Sequence, residues 1–162
     1  MQAIVLTAAW VTGTIPGELH EYLGYAAGVL VVSRVAWGFA ARGHARFGSF
    51  VTNWADTLVY ARGLLQGRHI RYVGHNPLGG WMIVWLLSCV AALVISGTLY
   101  MTDWLWGYAW LANLHMTLGW LLLVSVAAHI AGVVATSVWQ KENLVAAMIT
   151  GRKRAPEGDD HP

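Results

Sequence analysis

Three long apolar stretches limit what this chain can fold into. They cover residues 19–41, 78–101 and 110–139, and each exceeds the roughly 20 apolar residues that a helix needs to cross a bilayer. Only 11% of the 162 residues are charged, whereas soluble domains carry about 25%. The sequence therefore predicts an all-α integral membrane protein, with residues 1–162 forming a single transmembrane domain.

The connection between the first two spans, residues 42–77, is rich in arginine. Asn76 suits a helix cap and Pro77 a first helical position, so the second span begins there. Within the loop, the sequence predicts an amphipathic helix from Phe50 to Leu65 that lies at the membrane interface. Its apolar face contains Phe50, Trp54, Leu58 and Ala61.

The first apolar stretch of the chain, residues 3–11, is too short to span a bilayer. No Lys or Arg precedes it, so it does not match a signal peptide. We interpret it as the second half of a transmembrane helix, which adds an N-terminal half-helix to the three full spans.

Positive charge is distributed unevenly between the connections. Nine of the ten Lys and Arg residues lie in the 42–77 loop or after residue 139, and none lies in residues 102–109. The positive-inside rule then places that loop and the C-terminal tail in the cytoplasm. On the opposite side we expect an aromatic belt formed by Trp104, Trp106, Tyr108 and Trp110. The alternative role of these side chains is to stack against a ligand.

Histidines within apolar spans need a partner or a function. His115 and His129 are fourteen residues apart, which places them on nearly the same helix face about 21 Å apart. This spacing suits two haem irons stacked across one membrane. His20, near the start of the first span, lies at the depth inferred for His115.

His20 and His115 share a His-x-x-x-Gly pattern, with Gly24 and Gly119 one turn later. A glycine there leaves space for a flat macrocycle on the face of the histidine. The alternative is a helix contact through small residues. We favour bis-histidine haem ligation, which suits electron transfer because no substrate reaches the iron. One cysteine, Cys89, excludes a Cys-x-x-Cys-His attachment site, so the haem is b-type.

Other polar residues near the spans have two open interpretations each. Arg34 lies fourteen residues after His20, where it suits either snorkelling to the interface or pairing with a haem propionate. His75 precedes the second span and suits a helix start or propionate contact, with an iron ligand as the alternative. We expect solvated side chains at His44, His69 and His161.

The chain resembles the bacterial cytochrome b-561 family, di-haem membrane cytochromes related to the b-type subunit of nickel–iron hydrogenases. The resemblance covers nearly the whole chain. It rests on L-H-E-Y-L-G-Y, R-V-A-W-G-F, A-R-F-G-S-F, G-H-N-P-L-G-G, the L-H and A-H-I-A-G pair, and E-N-L-V-A-A-M-I-T-G-R-K-R.

The resemblance implies a four-helix transmembrane bundle with two haems b. It implies that His20 and His115 bind the outer haem and that His129 is one ligand of the inner haem. The family's other inner ligand lies in an Arg-x-x-His-Trp pattern that this sequence lacks. We therefore expect a truncated first helix and one firmly held haem, with a second haem only if the N terminus is extended.

The expected function is electron transport in the respiratory chain of the bacterial inner membrane. The partners would be the quinone pool and a periplasmic or membrane-bound redox protein, in contact with lipid and without nucleic acid; a homodimer stays open. We expect an electron-transfer protein rather than a stand-alone enzyme. The alternatives are a membrane-anchor subunit of a hydrogenase or dehydrogenase complex, and a non-redox scaffold whose histidines are structural.

Overall fold

The computed structural model describes residues 1–15, 17–67 and 76–139, together with residues 143 and 146. Within these residues the regular structure is entirely helical. Two short 3₁₀ turns, Gly43–Ala45 and Phe47–Ser49, accompany five α-helices: α1 Gln2–Thr12, α2 Leu19–Ala40, α3 Trp54–Leu65, α4 Pro77–Tyr100 and α5 Ala109–Trp139.

Helices α2, α4 and α5 are long and apolar enough to cross a membrane. At 1.5 Å per residue they are about 33, 36 and 46 Å long, against a hydrocarbon core of about 30 Å. Their ends lie within one residue of the expected positions. The three predicted spans are thus confirmed, whereas the four-helix count stays a prediction.

The spans expose large apolar side chains instead of burying them within the chain. On α2, Val29, Val32 and Phe39 are 66%, 68% and 74% exposed, and on α5 Val124 is 64% exposed. Apolar surface of this extent is unfavourable in water but natural against lipid tails. The exposure pattern agrees with a membrane environment for these helices.

The chain forms two compact units. The first contains residues 1–40 and 85–125, and the second contains the described residues of 41–84 and 126–146. Helix α5 contributes to both units. The expectation of a single domain stays a prediction.

In the first unit, α1 packs against α2, and α2 packs closely against α4. A Cβ on Gly28 would lie 3.0 Å from Cγ1 of Val94, so the two helices approach at a glycine. Helices α4 and α5 are connected by a hydrogen bond, in which Trp85 Nε1 donates to Ser125 Oγ at 2.9 Å. These contacts bring together the helices that carry His20 and His115.

In the second unit, helix α3 begins at Trp54, four residues later than predicted from Phe50. Asn53 determines this start, because its side chain accepts a hydrogen bond from the backbone N–H of Asp56 at 2.8 Å. Phe50 precedes the helix and is buried. Its carbonyl oxygen contacts Gly80, where a Cβ would not fit.

The two faces of α3 differ in exposure. Trp54 and Leu58 point outwards, 63% and 38% exposed, while Thr57 and Tyr60 are buried against the protein. The ring of Trp54 packs edge-on against Trp81 of α4, with ring centroids 6.1 Å apart. Of the predicted apolar face, Trp54 and Leu58 are thus exposed, whereas Phe50 is buried before the helix begins. The position of α3 at the membrane interface stays a prediction.

The start of α4 follows the sequence signals. Pro77 is its first residue, and the Asn76 side chain accepts from the backbone N–H of Gly79 at 2.7 Å. Residues 76–80 therefore combine a helix cap with a close backbone approach at Gly80.

Candidate functional site

His20 and His115 meet inside the first unit. His20 lies in the first turn of α2 and His115 in the second turn of α5. Their ring centroids are 6.0 Å apart and their planes are nearly perpendicular, at 88°. Both side chains are partly buried. The sequence placed them at equal depth, and the structure brings them together as a facing pair.

The separation of the two rings is the one expected for two ligands of one metal ion. An imidazole nitrogen binds a metal at about 2 Å, so rings on opposite sides of one ion have centroids about 6 Å apart. Among the described residues, no group of three or more His, Cys, Asp or Glu side chains is placed to hold an ion. Two histidines suit a macrocycle, which supplies its own four nitrogen ligands.

The backbone carbonyl of Ala9 determines the tautomer of His20. His20 Nδ1 lies 2.7 Å from the carbonyl oxygen of Ala9, near the end of α1. A carbonyl oxygen only accepts hydrogen bonds, so Nδ1 carries the hydrogen and donates it. The lone pair of the neutral ring is then on Nε2.

Ser96 determines the tautomer of His115 in the same way. Its Oγ lies 2.9 Å from His115 Nδ1, and it also donates to the carbonyl of Leu93 at 3.1 Å. A hydroxyl has a single hydrogen. The backbone of Leu93 also forms a hydrogen bond with the His115 ring. With its own hydrogen on Leu93, Ser96 Oγ accepts from Nδ1–H, and the lone pair of His115 is then on Nε2.

Both rings thus have the arrangement typical of metal-binding histidines, which donate their second N–H to a nearby acceptor. The contacts of His20 with Ala9 and of His115 with Ser96 both involve Nδ1. The pair therefore offers two Nε2 lone pairs for axial ligation.

The glycines around the pair are of two kinds. A Cβ on Gly24 or Gly119 would meet no atom within 4 Å outside its own helix backbone; the role of these two glycines beside the histidines stays a prediction. A Cβ on Gly97 would lie 3.1 Å from Cε1 of His115, and one on Gly13 would lie 3.3 Å from Cε1 of His20. These two glycines give the rings room.

The remaining site residues lie elsewhere. Arg34 is partly buried on α2 in the first unit. His129 is partly buried on α5 in the second unit, without a hydrogen bond or ring contact to another described residue. His75 lies outside the described residues. The roles expected for these three residues stay predictions.

Sequence reasoning missed the acceptors at Ser96 and Ala9 and the close contact at Gly97. A serine in a membrane span is a weak signal, because its hydroxyl usually bonds its own helix backbone. The Ala9 acceptor is a main-chain atom, so no residue type marks it. Only the packing of α1 and α4 around the two histidines reveals these contacts.

Comparison with known proteins identifies the family of the chain. The family model for prokaryotic cytochrome b561 matches residues 2–151. A curated relative, the "Probable Ni/Fe-hydrogenase B-type cytochrome subunit" of Rhizobium leguminosarum bv. viciae, is 23% identical over 185 aligned positions, which cover 91% of this chain and 77% of the relative. No solved structure matches. With a match that spans nearly its whole length, the chain belongs to the prokaryotic cytochrome b561 family and is a membrane b-type cytochrome of electron transfer.

Proposed function

We propose that this cytochrome carries electrons between the quinone pool and a redox partner through one haem b held by His20 and His115. The observation that carries the proposal is the facing pair itself, with ring centroids 6.0 Å apart and both Nδ1 atoms hydrogen-bonded. The residues present therefore fit an axial bis-histidine site.

The protein would contribute binding, orientation and a dry environment. Haem supplies one-electron oxidation and reduction when bound. His20 and His115 would hold the iron of the haem between them, which would keep substrates from it. Gly24 and Gly119 leave open the faces of their helices beside the rings, and the apolar spans keep the local dielectric constant low.

His129, Arg34 and His75 would serve a second, inner cofactor position. His129 would be one axial ligand there, while Arg34 would hold a propionate with its bidentate guanidinium group or extend to the interface. His75 would contact a propionate or begin α4. Because His129 makes no contact to a second described histidine, we propose one firmly held haem for this chain.

The direct test of the haem proposal is spectroscopic. The protein purified in detergent should show the reduced α-band and the low-spin spectrum of bis-histidine haem, and pyridine haemochrome analysis should give one haem per chain. A protein without a Soret band would contradict the proposal. Two tightly held haems per chain would mean that His129 has a second ligand that we have not identified.

A second candidate function is that of a membrane-anchor subunit which delivers electrons from a dehydrogenase to quinone. The hydrogenase-type name of the relative favours this candidate. Stopped-flow mixing with a quinol distinguishes the two candidates. Rapid haem reduction by quinol alone supports the quinone-linked cytochrome, whereas reduction only in the presence of a co-purifying dehydrogenase supports the anchor subunit.

We further propose that the C terminus lies in the cytoplasm of a bacterium, with the cytochrome in the inner membrane. Nine Lys and Arg residues on one side, against none in residues 102–109, support this orientation. A reporter that is active only in the cytoplasm should be active when it is fused after residue 154. A reporter that is active only in the periplasm should be inactive there. Activity of a periplasm-dependent reporter at that position would reverse the orientation.

A further inference from the structure

The hydroxyl of Ser96 connects a proposed haem ligand to the backbone of a neighbouring helix. Ser96 is 4% exposed, and its Oγ contacts both Nδ1 of His115 and the carbonyl oxygen of Leu93. It is thus a buried polar group that donates to its own helix backbone and leaves its oxygen to accept from one ring nitrogen.

We propose that Ser96 is a positioning residue that keeps His115 in the Nδ1–H tautomer and sets the reduction potential and affinity of the haem bound there. The inference rests on the proposed function and deepens it. An acceptor on Nδ1–H raises the basicity of the imidazole. A more basic ligand favours ferric over ferrous iron, so the Ser96 contact lowers the reduction potential.

The two ligands have acceptors of different strength. The carbonyl of Ala9 also accepts from the backbone N–H of Gly13 at 3.0 Å, and it lies at the C-terminal end of α1, where the helix dipole is negative. Ser96 Oγ is a neutral hydroxyl. The acceptor for His20 is a backbone atom, and the backbone of Leu93 also forms a hydrogen bond with His115. Ser96 is therefore the side-chain partner of the pair that a substitution removes.

Gly97 reinforces the role of its neighbour. A Cβ there would lie 3.1 Å from Cε1 of His115, so the ring packs against α4 at the residue that follows its hydrogen-bond acceptor. The adjacent pair of Ser96 and Gly97 therefore determines both the orientation and the position of the His115 ring.

Two substitutions at one position test this role in the holo-protein purified in detergent. Ser96→Ala removes the acceptor, so the potential in an optical redox titration should become more positive. Haem affinity should fall by about ten- to a hundredfold, as for other partners of metal ligands. Ser96→Thr keeps the hydroxyl oxygen and should retain the wild-type potential.

Ser125→Ala is the matched control, because Ser125 is also a buried serine in a span and accepts a hydrogen bond from Trp85. Its removal should reduce thermal stability and leave the potential unchanged. A haem-free Ser96→Ala protein together with a wild-type-like Ser96→Thr protein supports the proposal.

Equal potentials in wild type and Ser96→Ala would overturn the role of Ser96 and leave the proposed function intact. A Ser96→Thr protein shifted as far as Ser96→Ala would also overturn it, since the hydroxyl would then not be the determinant. A wild-type protein without a bis-histidine spectrum would instead refute the proposed function.

Discussion

The histidine pair in the first unit and His129 in the second unit are alike in sequence and different in structure. All three histidines lie on apolar helices near a following glycine. His20 and His115 each have an acceptor on Nδ1 and a facing ring. His129 has neither kind of contact with the described residues.

Residue spacing alone therefore does not distinguish a histidine that is oriented for metal binding from any other histidine in an apolar helix. A histidine is oriented for metal binding when an acceptor fixes its tautomer and a small neighbouring residue leaves room for its ring. Both features come from other helices. If these contacts, rather than sequence position, determine which histidines bind haem, substitutions at the pair and at His129 should have different effects.

The largest effect is expected from removing a member of the pair. His20→Ala or His115→Ala should abolish the bis-histidine spectrum, because one axial ligand does not hold a low-spin six-coordinate iron. His129→Ala is the comparison from the second unit and should retain this spectrum. The measurement is the low-temperature absorption spectrum with haem quantification. Loss of the spectrum in the His129 variant alone would show that His129, and not the pair of His20 and His115, provides the ligand.

A nearly complete loss of haem is expected when the open space beside His115 is filled. Gly119→Leu meets no neighbour at its Cβ, so the helix should fold, but the longer side chain would extend over the ligand face of α5. Gly132→Leu makes the same change in the second unit, also without a Cβ neighbour. The measurement is the haem content per chain of both variants after gel filtration. Equal haem content in the two variants would contradict the prediction that haem needs the open space beside Gly119.

A smaller, few-fold loss of haem affinity is expected from Gly97→Ala. The new methyl group would lie 3.1 Å from Cε1 of His115, so the ring must shift slightly. Gly28→Ala is the matched control, because its Cβ would lie 3.0 Å from a methyl group of Val94 and touch neither histidine. Each change should cost about 1–3 kcal/mol of stability through overpacking.

Electron paramagnetic resonance of the ferric protein separates the effects of these two alanine variants. Only Gly97→Ala should alter the low-spin signal, since only this change moves a ligand ring. An altered signal in Gly28→Ala would show that the site responds to general helix packing instead of contact with His115.

The smallest effect is expected from the cap of α3. Asn53→Ala removes the side chain that accepts from Asp56 N–H and should cost about 1 kcal/mol of stability. The spectrum and potential of the haem at His20 and His115 should not change, because this cap belongs to the second unit. Thermal unfolding followed by circular dichroism, with the Soret band recorded in parallel, provides the measurement. A Soret change at low temperature would contradict independence of the two regions.

Much of the fold was predictable because it depends on local sequence. The lengths of the apolar runs predicted α2, α4 and α5 to within a residue, since a bilayer requires about 20 apolar residues per span. Asn76 and Pro77 correctly marked the start of α4. The start of α3 was misplaced, because Phe50 has the apolar character of the helix face but packs at Gly80 before the helix begins.

The sequence by itself determined the class of protein, the three spans and the candidate ligands His20 and His115, because hydropathy and residue spacing along one helix are local properties. Tertiary structure alone decided which nitrogen of each ring is available. The acceptors for His20 and His115 lie 11 and 19 residues away in the chain, on α1 and α4. The tautomer of each ring depends on the atom that contacts Nδ1. Which atom that is depends on how separate helices pack together, and this packing cannot be derived from the spacing of residues along one helix.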